Sequence, residues 1–213
     1  MDVNTPKLCD GDDLDALYSP PAEMLLRAMT KHLTDYHLDY LKIATFACIA
    51  TGRDGGLDNS PRGGPPGFIR ALDRKTVAFG DWPGNNRIES MRNLVEDDRI
   101  GLLFIFPGLE IFLRINGRAS ISTDPDLLEK LKEGQRVPRT AIVVTIGEVL
   151  FHCGKALNRA RLWDEESRID KRSVPSAGVL MKALAQVDDF DIAEFNEHYD
   201  HAMRNDLYGS DPV

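Results

Sequence analysis

Up to about residue 40 the apolar positions recur at helical spacing, and Leu14, Leu17, Met24, Leu25, Met29 and Leu33 predict helices interrupted at Ser19-Pro20-Pro21. From Leu41 the period changes. Residues 42–51, 57–63, 76–80, 99–106, 111–122 and 140–151 alternate or run continuously apolar and are rich in Ile, Val, Phe and Thr, which predicts about six strands. Asp54-Gly55 has the composition of a hairpin turn, so the first two strands are expected to pair antiparallel, and Asp73-Arg74-Lys75 suggests a second tight turn. Ile88, Met91, Leu94 and Val95 mark one face of a helix over 86–96. A short helix is expected to begin at Asp124-Pro125, an N-cap followed by proline at the first helical position. Two more are expected over 176–187 and 191–205. Many strands with few intervening helices predict a mainly β barrel or sandwich with added helices rather than a doubly wound parallel sheet.

Composition narrows the classes. The 213 residues carry 26 Lys plus Arg against 34 Asp plus Glu, a net charge of −8, with 42% hydrophobic and 28% charged residues, which excludes a disordered chain and a disulfide-built miniature fold. The acidic balance opposes long-range attraction to nucleic acid or anionic lipid, and no apolar run reaches the roughly 18 residues of a membrane span. Residues 1–15 lack the basic-then-apolar order of a signal peptide, so a cytoplasmic location is expected. Cys9, Cys48 and Cys153 are odd in number and have no C-x-x-C spacing, which leaves neither a disulfide framework nor a structural zinc site.

Several familiar chemistries are absent: no G-x-G-x-x-G follows a strand, and there is no Walker A run, H-E-x-x-H or G-x-S-x-G. Glu194, Glu197, His198 and His201 have helical metal-ligand offsets, but the polar residues around them fit an exposed helix face better. His152 and Cys153 are adjacent on an expected strand and would point to opposite faces, which argues against a nucleophile pair and for a buried structural thiol.

Three stretches carry candidate chemistry. In the first, Asn59-Ser60-Pro61-Arg62-Gly63-Gly64-Pro65-Pro66-Gly67-Phe68, an arginine lies on a strand that ends in Gly and Pro, a backbone shaped for close approach of a flat or anionic ligand. The second is Gly80-Asp81-Trp82-Pro83-Gly84-Asn85-Asn86-Arg87-Ile88-Glu89-Ser90, a strand end, a Gly-Pro loop and a helix start. It is a candidate phosphate cradle, because first-turn N–H groups, the positive end of the helix dipole and the Arg87 guanidinium converge there. The third, Phe151 to Trp163, places Lys155, Arg159 and Arg161 beside a tryptophan, a local reversal of sign in an acidic chain.

With these motifs in order, residues 41–163 resemble the pyridoxamine 5'-phosphate oxidase-like FMN-binding flavoproteins, in particular a bacterial subgroup with P-G-N-N-R and F-H-C-x-K-A signatures. The resemblance implies a split β-barrel over 41–163 with helical extensions at 1–40 and 164–213, and a homodimer holding FMN in clefts at the subunit interface. By position it implies that Ser60 and Arg62 lie beside the flavin and its ribityl chain, and that Asn86, Arg87 and Ser90 surround the phosphate, with Trp82 also counted among the cofactor-binding residues. Lys155, Arg159, Arg161 and Trp163 would come from the partner subunit, near the ring or the substrate opening. The R-x-x-x-L-K strand and S-R-K helix start of pyridoxamine 5'-phosphate oxidase itself are missing, and N-N-R stands in place of the latter. The expected function is therefore FMN-dependent hydride transfer on an unidentified small molecule, with cations near the ring's pyrimidine edge stabilising the reduced form. A non-catalytic flavin carrier or sensor, or a barrel holding deazaflavin or haem, is the alternative.

Overall fold

The structure is a computed structural model and describes residues 9–208. Its order is α1 (Gly11–Leu17), α2 (Glu23–Arg27), α3 (Asp35–Ile43), β1 (Phe46–Arg53), β2 (Gly56–Gly63), β3 (Arg70–Ala71), β4 (Thr76–Asp81) and α4 (Glu89–Glu96). Then follow β5 (Arg99–Ile105), β6 (Ile111–Ser122), α5 (Pro125–Lys130), β7 (Thr140–Cys153), α6 (Lys155–Ala160), α7 (Ala177–Ala185) and α8 (Ile192–Asn205). The seven strands form one antiparallel sheet in the order β2-β1-β5-β6-β7-β4-β3. The edge strands β2 and β3 are not bonded to each other, so the sheet wraps its core without closing, and the fold is a mainly β split barrel with added helices. No helix among the described residues is long and apolar enough to cross a membrane.

Local chemistry explains the elements. Arg53 pairs with Gly56 across the Asp54-Gly55 turn, where Gly55 has a φ of 102° that glycine adopts without steric cost. Asp124 caps α5 by accepting from the Leu127 N–H at 2.8 Å. Inward residues of alternate strand positions, among them Ile49, Phe79, Phe104, Leu113, Ile142 and Val149, fill the barrel. Between Asn116 and Gly117 the β6–β7 register slips, leaving Gly147 as the extra residue of a bulge that bends this long hairpin.

Some expectations change. The helix expected over 86–96 begins only at Glu89, because Asn86 takes a left-handed φ of 57° and Ile88 is the N-cap. Its buried face is Ser90, Asn93 and Leu94 rather than one containing Val95, which is 78% exposed. The polar pair is tolerated there because each side chain finds a partner: Asn93 Nδ2 donates to Thr51 Oγ1 at 3.1 Å and Ser90 Oγ to Asp58 Oδ2 at 2.5 Å. Cys153 is exposed, not a buried thiol, since β7 has run past the end of the core when it reaches that residue. Leu33 is core as the apolar spacing suggests but lies outside any helix, where its N–H donates to the Arg74 carbonyl at 2.7 Å.

His37 on α3 is buried, stacked on Phe151 with ring centroids 4.8 Å apart, and its Nδ1 accepts from the Thr34 N–H at 3.0 Å. Burial, with a smaller contribution from His32, holds its pKa below the ordinary 6.5. A base depressed on folding binds protons more readily in the unfolded chain, so its contribution is complete above pH 6.5 and declines as the pH falls through and below that value. The melting temperature of the wild type is expected to drop between neutral pH and pH about 5 more steeply than that of His37→Asn, whose amide oxygen can accept the same bond. Parallel slopes in the two proteins would remove His37 from the acid response.

Candidate functional site

A cleft of about 540 Å³ opens between the end of β2, the end of β4, the loop leading into α4 and the start of β7. That volume falls in the range of small-ligand pockets, about 300–1,000 Å³. It brings together Ser60, Arg62, Trp82, Asn86 and Arg87, five of the residues singled out in the sequence.

Arg62 extends from β2 and is mostly covered, its side chain 22% exposed. One terminal nitrogen donates to Ser60 Oγ at 2.5 Å and to the Pro61 carbonyl at 2.9 Å. The other lies 3.7 Å from Asp81 Oδ1, while its Nε is buried with no partner. Burial raises the Asp81 carboxyl pKa, and the Arg62 charge pulls it partly back. A buried guanidinium nitrogen without an acceptor is costly, so an acceptor reaching Arg62 Nε would be favoured; Arg114 Nε, away from the cleft, is likewise buried without a partner.

The opposite wall is the loop from Gly84 to Ile88. Asn85 Oδ1 accepts from the Arg87 N–H at 3.0 Å, an Asx turn that shapes the loop instead of capping α4. No side chain caps α4, so its first-turn N–H groups and its positive dipole end stay available beside Arg87. Arg87 makes no ion pair among the described residues.

The remaining candidates lie elsewhere. Ser90 does not line the cleft, because its hydroxyl is turned to Asp58. Lys155 and Arg159 are on α6, which follows β7 at the end opposite the cleft; the 14 residues from Thr140 to Cys153 measure about 43 Å along the strand at 3.3 Å per step. Arg161 is already paired with Asp164 at 2.7 Å and Glu166 at 2.6 Å, and Trp163 Nε1 donates to the Leu109 carbonyl at 3.0 Å. The basic stretch is thus partly neutralised by the acidic residues that follow it. Among its members Lys155 and Arg159 have no ionic partner among the described residues.

Sequence reasoning missed Asp81, Arg139 and Leu207 as cleft residues. Asp81 lies within the stretch from Gly80 to Ser90 but carries no phosphate-binding chemistry of its own. Arg139 sits one residue before β7 and follows Pro138, a position that carries no motif. Leu207 comes from the far end of the chain and left no local signal.

The family model for pyridoxamine 5'-phosphate oxidase matches residues 33–153, more than half of the chain. The chain belongs to this family. The matched span of this pyridoxamine 5'-phosphate oxidase family member runs from the buried Leu33 to the end of β7, so it takes in all seven strands and most of the cleft. Among solved structures the chain is similar to HupZ of Group A Streptococcus, at 18% identity over 56% of this chain and 98% of that one, with a TM-score of 0.46. A putative pyridoxamine 5'-phosphate oxidase from Lactobacillus delbrueckii is 18% identical over 57% and 95% of the two chains, with a TM-score of 0.46. An FAD binding protein from Mycobacterium smegmatis is 16% identical over 58% and 97%, with a TM-score of 0.40. No curated protein matches.

Proposed function

We propose that the chain is an FMN-dependent oxidoreductase that works as a homodimer. The flavin phosphate would sit against the Gly84–Ile88 loop and the first turn of α4 beside Arg87, with the rest of the cofactor along β2 near Ser60, Arg62 and Trp82. The observation that carries this reading is the buried, unpartnered Arg62 Nε in a cleft lined, among the described residues, by three guanidinium groups, from Arg62, Arg87 and Arg139, and one carboxylate, from Asp81. In a chain of net charge −8 that local excess of cation suits a dianionic ligand, and a phosphomonoester carries about −1.5 to −2 at neutral pH. Bound flavin supplies hydride transfer, while the protein provides position and charge.

The chain's exposed apolar side chains support a second copy. Most of its exposed large apolar side chains lie in the terminal helical segments, including Leu17, Met24, Leu25, Leu184 and Met203. A dimer would cover such surface and bring one subunit's Lys155 and Arg159 toward the other's cleft.

Freshly purified protein, or protein reconstituted with FMN and gel filtered, is expected to show the two-banded visible spectrum of an oxidised flavin at one per chain and to elute as a dimer. Bleaching by NADH or NADPH, with recovery on adding an electron acceptor, separates an oxidoreductase from a carrier. Colourless protein that takes up no FMN, or a haem or deazaflavin spectrum, would overturn the assignment.

A further inference from the structure

After α8 ends at Asn205 the chain turns back toward the barrel, and Leu207 forms part of the cleft lining. The next residue makes the firmest contact. The Tyr208 ring meets Trp82 edge-on, with centroids 5.0 Å apart and planes at 87°. Its hydroxyl donates to Glu133 Oε2 at 2.6 Å, while Trp82 Nε1 donates to Glu133 Oε1 at 3.1 Å. One carboxylate therefore takes a donor from the cleft wall on one oxygen and a donor from the segment after α8 on the other. Arg136 adds its guanidinium 5.0 Å from the Tyr208 ring centroid.

Glu133 and Arg136 are held in register by reciprocal backbone bonds of 3.0 and 3.1 Å, so the carboxylate stands on a fixed turn. Gly64 leaves room for it: a Cβ there would lie 3.2 Å from Glu133 Oε1 and 2.6 Å from the Phe68 Cβ. By contrast, α8 buries none of its own residues and packs against α7. The barrel core does not depend on it, and a contact made of one hydrogen bond and two ring interactions belongs to the elements that open locally.

We propose that Leu207-Tyr208 is a strap across the cleft, latched by Glu133 to Trp82, that closes over a bound ligand and must open for its entry and release. The strap itself is independent of the ligand's identity; its effect on flavin release rests on the function proposed above.

The chain has two tryptophans, so in a Trp163→Phe background Trp82 alone reports on the strap. Acrylamide quenching of Trp82 is expected to rise about twofold on adding Tyr208→Ala and by less on adding Tyr208→Phe, which keeps the ring and loses the latch hydroxyl. Thermal melts check that the variants remain folded. Equal quenching in all three folded proteins would overturn the strap. In the otherwise native chain, FMN is expected to leave Tyr208→Ala about tenfold faster than wild type, followed by the return of free-flavin fluorescence. Equal release rates would overturn the gating role whatever the quenching shows. Failure of both proteins to bind FMN would strike the flavin assignment, and the quenching result would still decide the strap.

Discussion

Arg87→Ala is expected to weaken FMN binding about 30-fold, the equivalent of about 2 kcal/mol for a charge-assisted contact to phosphate. The size follows from its setting. Arg87 is exposed on the cleft wall, lies next to an uncapped helix start and has its backbone fixed by Asn85, so its guanidinium is open to the cleft without serving the fold. The melting temperature without ligand should therefore stay close to wild type, and the loss should appear in a fluorescence titration with FMN. Riboflavin, which lacks the phosphate, should be affected little by the same change. Arg87→Lys should fall between, because it keeps the charge and loses the planar fork. A variant that keeps full FMN affinity would remove the phosphate from this loop.

Gly117→Ala is expected to destabilise the barrel by about 3 kcal/mol or more, a size reached only when backbone or core must shift. Gly117 lies at the β6–β7 bulge, where an added Cβ would be 2.2 Å from the Thr145 carbonyl oxygen and 3.1 Å from its carbon. Those atoms belong to the partner strand and cannot swing aside as a side-chain tip could. Opening the bulge would disturb the longest hairpin in the molecule, which carries the Thr140 end of the cleft and the α6 end on one strand. Chemical denaturation should show a lower midpoint, or the protein should fail to accumulate in soluble form. A wild-type midpoint would mean that the hairpin relaxes more easily than its bonding suggests.

The strands were legible because alternation is a local property. β6 spans 111–122 as the pattern predicts, and the other long strands differ from expectation by a few residues at their ends. The two-residue β3 has too few positions to show a period. The phase of α4 differs from the one its apolar spacing predicts because that spacing assigns a face by hydrophobicity alone. Asn93 and Ser90 are buried only because Thr51 and Asp58, about forty and thirty residues earlier, meet them. The sites divide in the same way. Ser60, Arg62, Trp82, Asn86 and Arg87 come from two motifs on neighbouring stretches and meet in one cleft. Lys155 and Arg159 share a basic motif, yet a 14-residue strand separates them from it.

By itself the sequence determined six of the seven strands, the antiparallel pairing of the first two, the tight turns and the two motifs that build the cleft, since periodicity and turn chemistry act over a few residues. Only the tertiary structure decided which charges remain available. It left Arg62 Nε unpaired, satisfied Arg161 with Asp164 and Glu166, and brought Tyr208 back onto Glu133 beside Trp82. The reason is physical: burial and pairing depend on atoms that the chain brings close only after the sheet has wrapped, and no local pattern encodes them.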